Sequence, residues 1–155
     1  MKKIKSLISF LLALVVCACF SACTTITSDK SEDFSQTVAV DEIIEITDTI
    51  VVIRADCGYM PIDSDTVLLD YMNQIKLDGG FDFTFSGGLV TAINGVENTA
   101  DYTKCWMVYT DDSELSNEAW GSVTVGETTY FSAVVGAEAL PIKHGKTYVW
   151  EYKSF

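Results

Sequence analysis

The residues that could carry out chemistry in this 155-residue chain are few and widely separated. Hydrolytic and transfer reactions need a nucleophile with a base beside it, or a bound metal. The single histidine, His144, lies in a Lys-His-Gly-Lys turn motif, and Cys57 and Cys105 are distant from it in sequence. One histidine with two widely spaced cysteines is a poor ligand set for zinc. The sequence therefore predicts no catalytic centre and no metal site.

Two short acidic clusters, Asp63-Ser64-Asp65 and Asp111-Asp112-Ser113-Glu114, could in principle bind calcium. Neither has the spacing or the glycine of an EF-hand loop. Gly87-Gly88 is equally uninformative, because no helix follows it to supply the anion site of a phosphate-binding loop. We expect no cofactor, and we interpret the acidic clusters as solvated surface.

The N-terminus has the pattern of a bacterial secretion signal. Three lysines precede the apolar stretch Leu7 to Phe20, whose 14 residues fall short of the roughly 20 that a membrane-spanning helix needs. Phe20-Ser21-Ala22-Cys23 resembles the lipobox of bacterial lipoproteins, in which the cysteine receives a diacylglyceryl group and becomes the new N-terminus. We expect a signal peptide over residues 1–22 and lipidation of Cys23, with Cys19 as the alternative acceptor.

Cleavage and lipidation would place the mature chain on the extracytoplasmic face of the cell membrane. A multiply acylated N-terminus is a stable anchor. Removal of the three signal lysines leaves seven basic residues against 22 acidic ones. So negative a charge argues against nucleic acid and against electrostatic docking on anionic lipid.

Cys57 and Cys105 are the two cysteines of the mature domain. An extracellular location permits a disulfide between them. Two buried reduced thiols are an equally good interpretation, because cysteine packs as a small apolar residue. The sequence leaves both alternatives open.

The mature chain divides into a tether, residues 23–40, and one domain, residues 41–155. The tether has too few large apolar side chains to fold. One amphipathic helix is predicted after Ser64 or Asp65, with Val67, Leu68, Tyr71, Met72 and Ile75 on one face. β-branched and alternating segments predict strands at 49–53, 81–85, 89–93, 105–109, 129–135 and 148–152, whereas 110–128 is polar and predicted to be irregular. This order favours an α+β fold, with a mixed or antiparallel sheet and one helix across a face.

Three segments together resemble the transcobalamin-like C-terminal domain family, a β-grasp-like module of bacterial surface lipoproteins and animal cobalamin carriers. They are Thr66 to Met72, Gly88 to Val96 (Gly-Leu-Val-Thr-Ala-Ile-Asn-Gly-Val) and Trp106 to Tyr109 (Trp-Met-Val-Tyr), joined by the C-terminal stretch Ile142 to Tyr152. Two departures are Thr110-Asp111-Asp112, where the family has an Asn-Gly turn, and Lys146, where it has an acidic residue.

The resemblance implies non-covalent binding of a tetrapyrrole such as cobalamin, or of another small molecule, outside the cell. Tyr109, Trp120 and Tyr130 are the residues that we expect to contact it, because aromatic side chains can stack on a flat ligand. Trp120 has a second interpretation, in which it folds back over the sheet edge. The alternative function is a surface structural or interaction module that pairs with another protein through a sheet edge.

Metabolic labelling with palmitate tests the predicted anchor. Cys23→Ser is expected to abolish incorporation of the label and to release the chain from membranes, whereas Cys19→Ser retains both. Labelling that persists in Cys23→Ser and is lost in Cys19→Ser would move the acceptor to Cys19.

Overall fold

The computed structural model describes residues 38–155. The predicted signal peptide, Cys23, Cys19 and the tether up to residue 37 lie outside this part. Within residues 38–155, no helix is both long enough and apolar enough to span a membrane.

Two helices and nine strands make up the described part of the chain. In chain order they are α1 (Val40–Ile43), β1 (Ile44–Ile46), β2 (Ile50–Arg54), α2 (Leu68–Leu77), β3 (Phe83–Ser86), β4 (Leu89–Ile93), β5 (Val96–Glu97), β6 (Lys104–Thr110), β7 (Ser116–Val125), β8 (Thr128–Ala133) and β9 (Thr147–Ser154). Six strands form a large sheet in the order β1-β2-β9-β6-β8-β7, and β3, β4 and β5 form a small one.

The architecture is mostly sheet with few helices, which fits an α+β fold. All pairings between the described strands are antiparallel. The described strands therefore form antiparallel sheets, which was one of the two forms expected, and not a mixed sheet, which was the other. Parallel pairs need long crossover connections, usually helical, and α2 leads instead into the separate small sheet.

Helix α2 packs its apolar face against both sheets. Leu68, Tyr71, Met72 and Ile75 are fully buried, as their helical spacing predicts. They share one core with side chains of both sheets, among them Val51, Ile53, Trp106, Val108, Tyr148 and Trp150 of the large sheet and Phe83, Val90 and Ile93 of the small one. We call this side of the large sheet the helix face.

The opposite side of the large sheet is covered by its own strands. Val123 of β7 and Tyr130 of β8 form a second apolar cluster with Val52, Tyr109 and Val149. Strand β7 does not neighbour β6 in the sheet, yet the two strands are in contact, so the β7–β8 hairpin curls over this side. We call it the hairpin face.

Two predicted chain reversals are confirmed by backbone geometry. Asn94 and Gly95 have φ angles of 48° and 79° and join β4 to β5, as expected of a tight hairpin turn. At the end of α2, a Cβ on Gly80 would lie 2.6 Å from the Ile75 side chain. A side chain at residue 80 would therefore displace packed core side chains, and Gly79, with a φ of 78°, reverses the chain just before it.

Helix α2 begins later than its sequence pattern predicts. Asp63 forms a turn in which its carboxylate accepts hydrogen bonds from the Thr66 hydroxyl at 2.8 Å and the Asp65 amide at 3.0 Å. These bonds hold Asp63–Thr66 outside the helix, and Val67 takes the N-cap position. The side chain of Ser64 or Asp65 is therefore not the cap.

Strand β7 lies in the segment predicted to be irregular. It spans Ser116–Val125 and pairs with β8 on both sides of a bulge between Asn117 and Ser122. Val123 is its one fully buried apolar residue, so the segment has little hydrophobic alternation to reveal a strand.

Ordered structure also begins before residue 41. Val38 and Val40, both assigned to the tether, pack against the main core. The Val38 amide donates a hydrogen bond to the Gly58 carbonyl at 3.4 Å. The domain therefore includes Val38 and Val40, which the predicted boundary at residue 41 placed in the tether.

The buried face of α2 predicts the stability of the domain. Ile75→Ala is expected to lower the free energy of unfolding by about 2–5 kcal/mol, because it leaves a cavity among packed side chains. Leu77→Ala, at a residue of the same helix that is 79% exposed, should change it by less than about 0.5 kcal/mol. Chemical denaturation of both variants measures the difference, and equal losses would contradict this account of the core.

Candidate functional site

An apolar groove lies where the small sheet meets the helix face of the large sheet. Its floor includes Trp106 and Val108 of β6 and Trp150 of β9, and its volume is about 300 Å³. Val108 and Trp150 are paired across β6 and β9, so regular strand geometry fixes these two floor side chains.

The rim of the groove exposes several large apolar side chains. Leu89 of β4 and Tyr102 are about half exposed, and Val134 and Val135, after β8, are more than a third exposed. All four line the groove. Exposed apolar side chains grouped around a concavity commonly mark a binding surface. The arrangement can accept an apolar or flat group.

The two tryptophans in the floor differ in their hydrogen bonding. Trp106 Nε1 donates to the Val96 carbonyl at 2.7 Å. Trp150 Nε1 is buried and has no hydrogen-bond partner within residues 38–155. A buried unpaired donor costs free energy, and a ligand acceptor that reached it would offset that cost.

The three predicted ligand contacts lie elsewhere in the fold. Tyr109 and Tyr130 belong to the buried cluster of the hairpin face, and Tyr109 is only 1% exposed. The curl of the β7–β8 hairpin covers them and leaves Tyr109 almost no surface to offer a ligand. Trp120 is 61% exposed, in the bulge of β7, so it is not the buried plug of its second interpretation.

Tyr109 instead forms part of a structural polar group. Its hydroxyl accepts a hydrogen bond from Lys153 Nζ at 3.1 Å, and Lys153 lies 3.7 Å from the Glu151 carboxylate. Burial raises the pKa of Tyr109, and the nearby Lys153 opposes this shift only in part. The hydroxyl therefore stays protonated and bridges buried apolar residues to the charged end of β9.

Cys57 and Cys105 are free thiols. Cys105 pairs with Lys153 near one end of β9, whereas β2 ends at Arg54, paired with Thr147 at the other end. Six residues of strand separate these positions by roughly 20 Å, and a disulfide requires Cα atoms within about 7 Å. The structure therefore has the reduced pair, but both thiols are partly exposed and not buried as that alternative expected.

Cys57 instead lies beside the only histidine in the sequence. A ligand atom from each of Asp56, Cys57 and His144 lies within 4.8 Å of the other two. The sequence analysis counted one histidine and two widely spaced cysteines as a poor ligand set and did not consider Asp56; 87 residues separate Cys57 from His144. The signal that would have found it is the pairing of β2 with β9, which brings the turn after β2 to the turn before β9.

The insertion after Tyr109, where the resembled family has a turn, is tied into the fold. Thr110 and Asp112 are buried, and Lys143 Nζ lies 2.8 Å from Asp112 Oδ2. Burial raises the pKa of the Asp112 carboxyl, but Lys143 and the Glu114 amide outweigh it and hold the pKa below its usual value. This segment supports structure and does not open toward the groove.

The ion pair between Asp112 and Lys143 predicts that the free energy of unfolding depends on pH. Because the folded-state pKa of Asp112 is lowered, its contribution is present above the unfolded pKa of about 3.9 and is lost as pH falls through the folded value. Asp112→Asn should therefore cost about 1–3 kcal/mol at pH 7 and progressively less below pH ~4. Chemical denaturation of the wild type and of Asp112→Asn at several pH values measures this difference. Glu127→Gln, at an exposed residue, is the control. A loss of stability in Asp112→Asn that did not change with pH would contradict the prediction.

Comparison with known proteins assigns the chain to no family. No family model matches it, and no curated protein and no solved structure matches it. The groove and the Asp56–Cys57–His144 cluster are therefore interpreted from their own geometry.

Proposed function

We propose that this chain is a lipoprotein of the cell surface whose domain binds a small extracellular ligand in the apolar groove. In this proposal Cys23 carries the lipid, and the acidic domain lies on the extracytoplasmic side of the membrane. The domain captures its ligand without covalent chemistry and is not an enzyme.

The observation that carries the proposal is the grouping of exposed apolar side chains around the groove. Leu89, Tyr102, Val134 and Val135 surround a floor that contains two tryptophans. Leaving these side chains in water is unfavourable at about 25 cal/mol per Å² of apolar surface. A ligand that covered the rim would recover this free energy, and aromatic side chains suit a flat ligand.

Cobalamin or another corrinoid is the ligand class that the sequence resemblance suggests. The β-grasp-like character of the fold belongs to the same proposal, supported by α2 packed on an antiparallel sheet. A groove of about 300 Å³ is at the small end of the range for ligand sites. A tetrapyrrole would therefore insert one edge and leave its remainder for a partner protein to cover.

The alternative function, a module that pairs through a sheet edge, has less support. The edge strand β1 has three residues, and the opposite edge strand β7 is interrupted by its bulge. Short and bulged edges are the means by which proteins avoid strand addition. Surface pairing would have to use another part of the domain.

Titration of the purified protein with cobalamins, followed by tryptophan fluorescence and equilibrium dialysis, tests the proposal. Binding should change the fluorescence of Trp120→Phe as much as that of the wild type, because the responding tryptophans are in the groove floor. Flat titrations up to high micromolar ligand would remove cobalamin from consideration.

Charge placed at the rim locates the site. Leu89→Asp and Val135→Asp are expected to weaken binding at least tenfold, because covering a carboxylate with an apolar ligand costs more than about 1.4 kcal/mol. Leu77→Asp is the matched control, an exposed leucine on α2, and should bind normally. Unchanged affinity in both rim variants would place the ligand outside the groove.

A further inference from the structure

The turn after β2 and the turn before β9 are joined by backbone hydrogen bonds. Gly145 N donates to Ala55 O at 2.7 Å, and Ala55 N donates to Lys146 O at 2.9 Å. Tyr71 reaches the same turn from α2, where its hydroxyl accepts the Asp56 amide at 2.8 Å. The backbones that carry Asp56, Cys57 and His144 are thus held by both neighbouring strands and by the helix.

The three side chains bring together a thiol, an imidazole and a carboxylate. Their ligand atoms lie within 4.8 Å of one another, and His144 Nδ1 is 4.0 Å from Asp56 Oδ1. The ligand atoms of a tetrahedral zinc ion lie roughly 3.5 Å apart. Rotations of these partly exposed side chains would have to close that difference, and Asp56 Oδ1 also accepts a hydrogen bond from the Gly58 amide at 2.7 Å.

The hydrogen bonding of His144 indicates which nitrogen would bind. The Cys57 amide donates to Nδ1 at 3.1 Å, so Nδ1 is an unprotonated acceptor, and a metal would take its single lone pair by displacing this hydrogen bond. This bond joins the imidazole to the backbone of Cys57 and not to its thiol.

The two lysines that flank the His144-Gly145 turn contact partners outside the cluster. Lys143, next to His144, lies 2.8 Å from Asp112 and 2.6 Å from Glu114. The Lys146 ammonium donates to the Asp111 carbonyl at 3.4 Å. Both neighbouring positive charges are thus engaged elsewhere. Cys57 also lines a cavity of about 460 Å³ with Tyr59, Pro61 and Ile62, which leaves room for a further ligand.

We propose that Asp56, Cys57 and His144 bind a divalent transition metal ion of the zinc class, with a fourth coordination position open toward this cavity. Zinc accepts sulfur, nitrogen and oxygen ligands together, and sites with three protein ligands keep one position for water or a small molecule. None of these three residues lines the apolar groove, so this proposal does not rest on ligand binding there.

Alkylation of Cys57 and Cys105, followed in the full-length protein purified in detergent, tests the proposal. After reduction and removal of the reductant, iodoacetamide labelling is followed at each cysteine by peptide mass spectrometry. Zn²⁺ should slow the labelling of Cys57 at least tenfold and leave Cys105 unchanged, which makes Cys105 the control within the same molecule.

Variants separate a three-ligand site from a metal held by the thiol alone. His144→Gln and Asp56→Asn are expected to reduce the protection of Cys57 at least tenfold at a fixed Zn²⁺ concentration. With Co²⁺ as the probe, thiolate-to-metal charge-transfer absorption should appear in Cys105→Ser and be absent from Cys57→Ser. Equal protection of both cysteines, no protection of Cys57, or full protection in His144→Gln would each overturn the proposal.

Discussion

Strand β9 is buried on both sides at residues 148–150, and the rest of the fold depends on this constraint. It pairs with β2 along one edge and with β6 along the other. Tyr148 and Trp150 point into the main core on the helix face, and Val149 points into the cluster of the hairpin face. A strand that is covered on both sides must form all its backbone hydrogen bonds within the sheet, because an unpaired buried polar group is costly.

Both candidate sites derive their geometry from β9. Trp150 supplies part of the groove floor, and His144 lies in the turn that leads into the strand. The Tyr148 hydroxyl accepts the Lys143 amide at 3.1 Å and donates to the Pro141 carbonyl at 3.3 Å. Burial raises the pKa of Tyr148 to about 12, so this hydroxyl remains a neutral donor and acceptor that fixes the turn to the core.

The elements that could be predicted from the sequence are those with one strong local pattern. The buried face of α2, the β-branched run of β2 and the Asn94-Gly95 turn all depend on residues close in sequence. Strand β7 was not predicted, because its single buried valine and its bulge leave no alternation of apolar and polar residues in the sequence. Tyr109 and Tyr130 were misplaced for a different reason: alternation assigns a side chain to a face but does not say whether that face is covered. The proximity of Cys57 and His144 arises only from strand pairing between distant segments.

The ion pairs of the described residues decide what charge the surface presents. Arg54, Lys76, Lys143 and Lys153 each lie against an acidic side chain, which largely neutralises the basic charge of the domain. Carboxylates outnumber these cations within residues 38–155, so the outward field is anionic in most directions. Neighbouring copies therefore repel one another over about 8 Å at physiological salt. Crowded molecules would stay dispersed through electrostatic spacing, and higher ionic strength would let them approach.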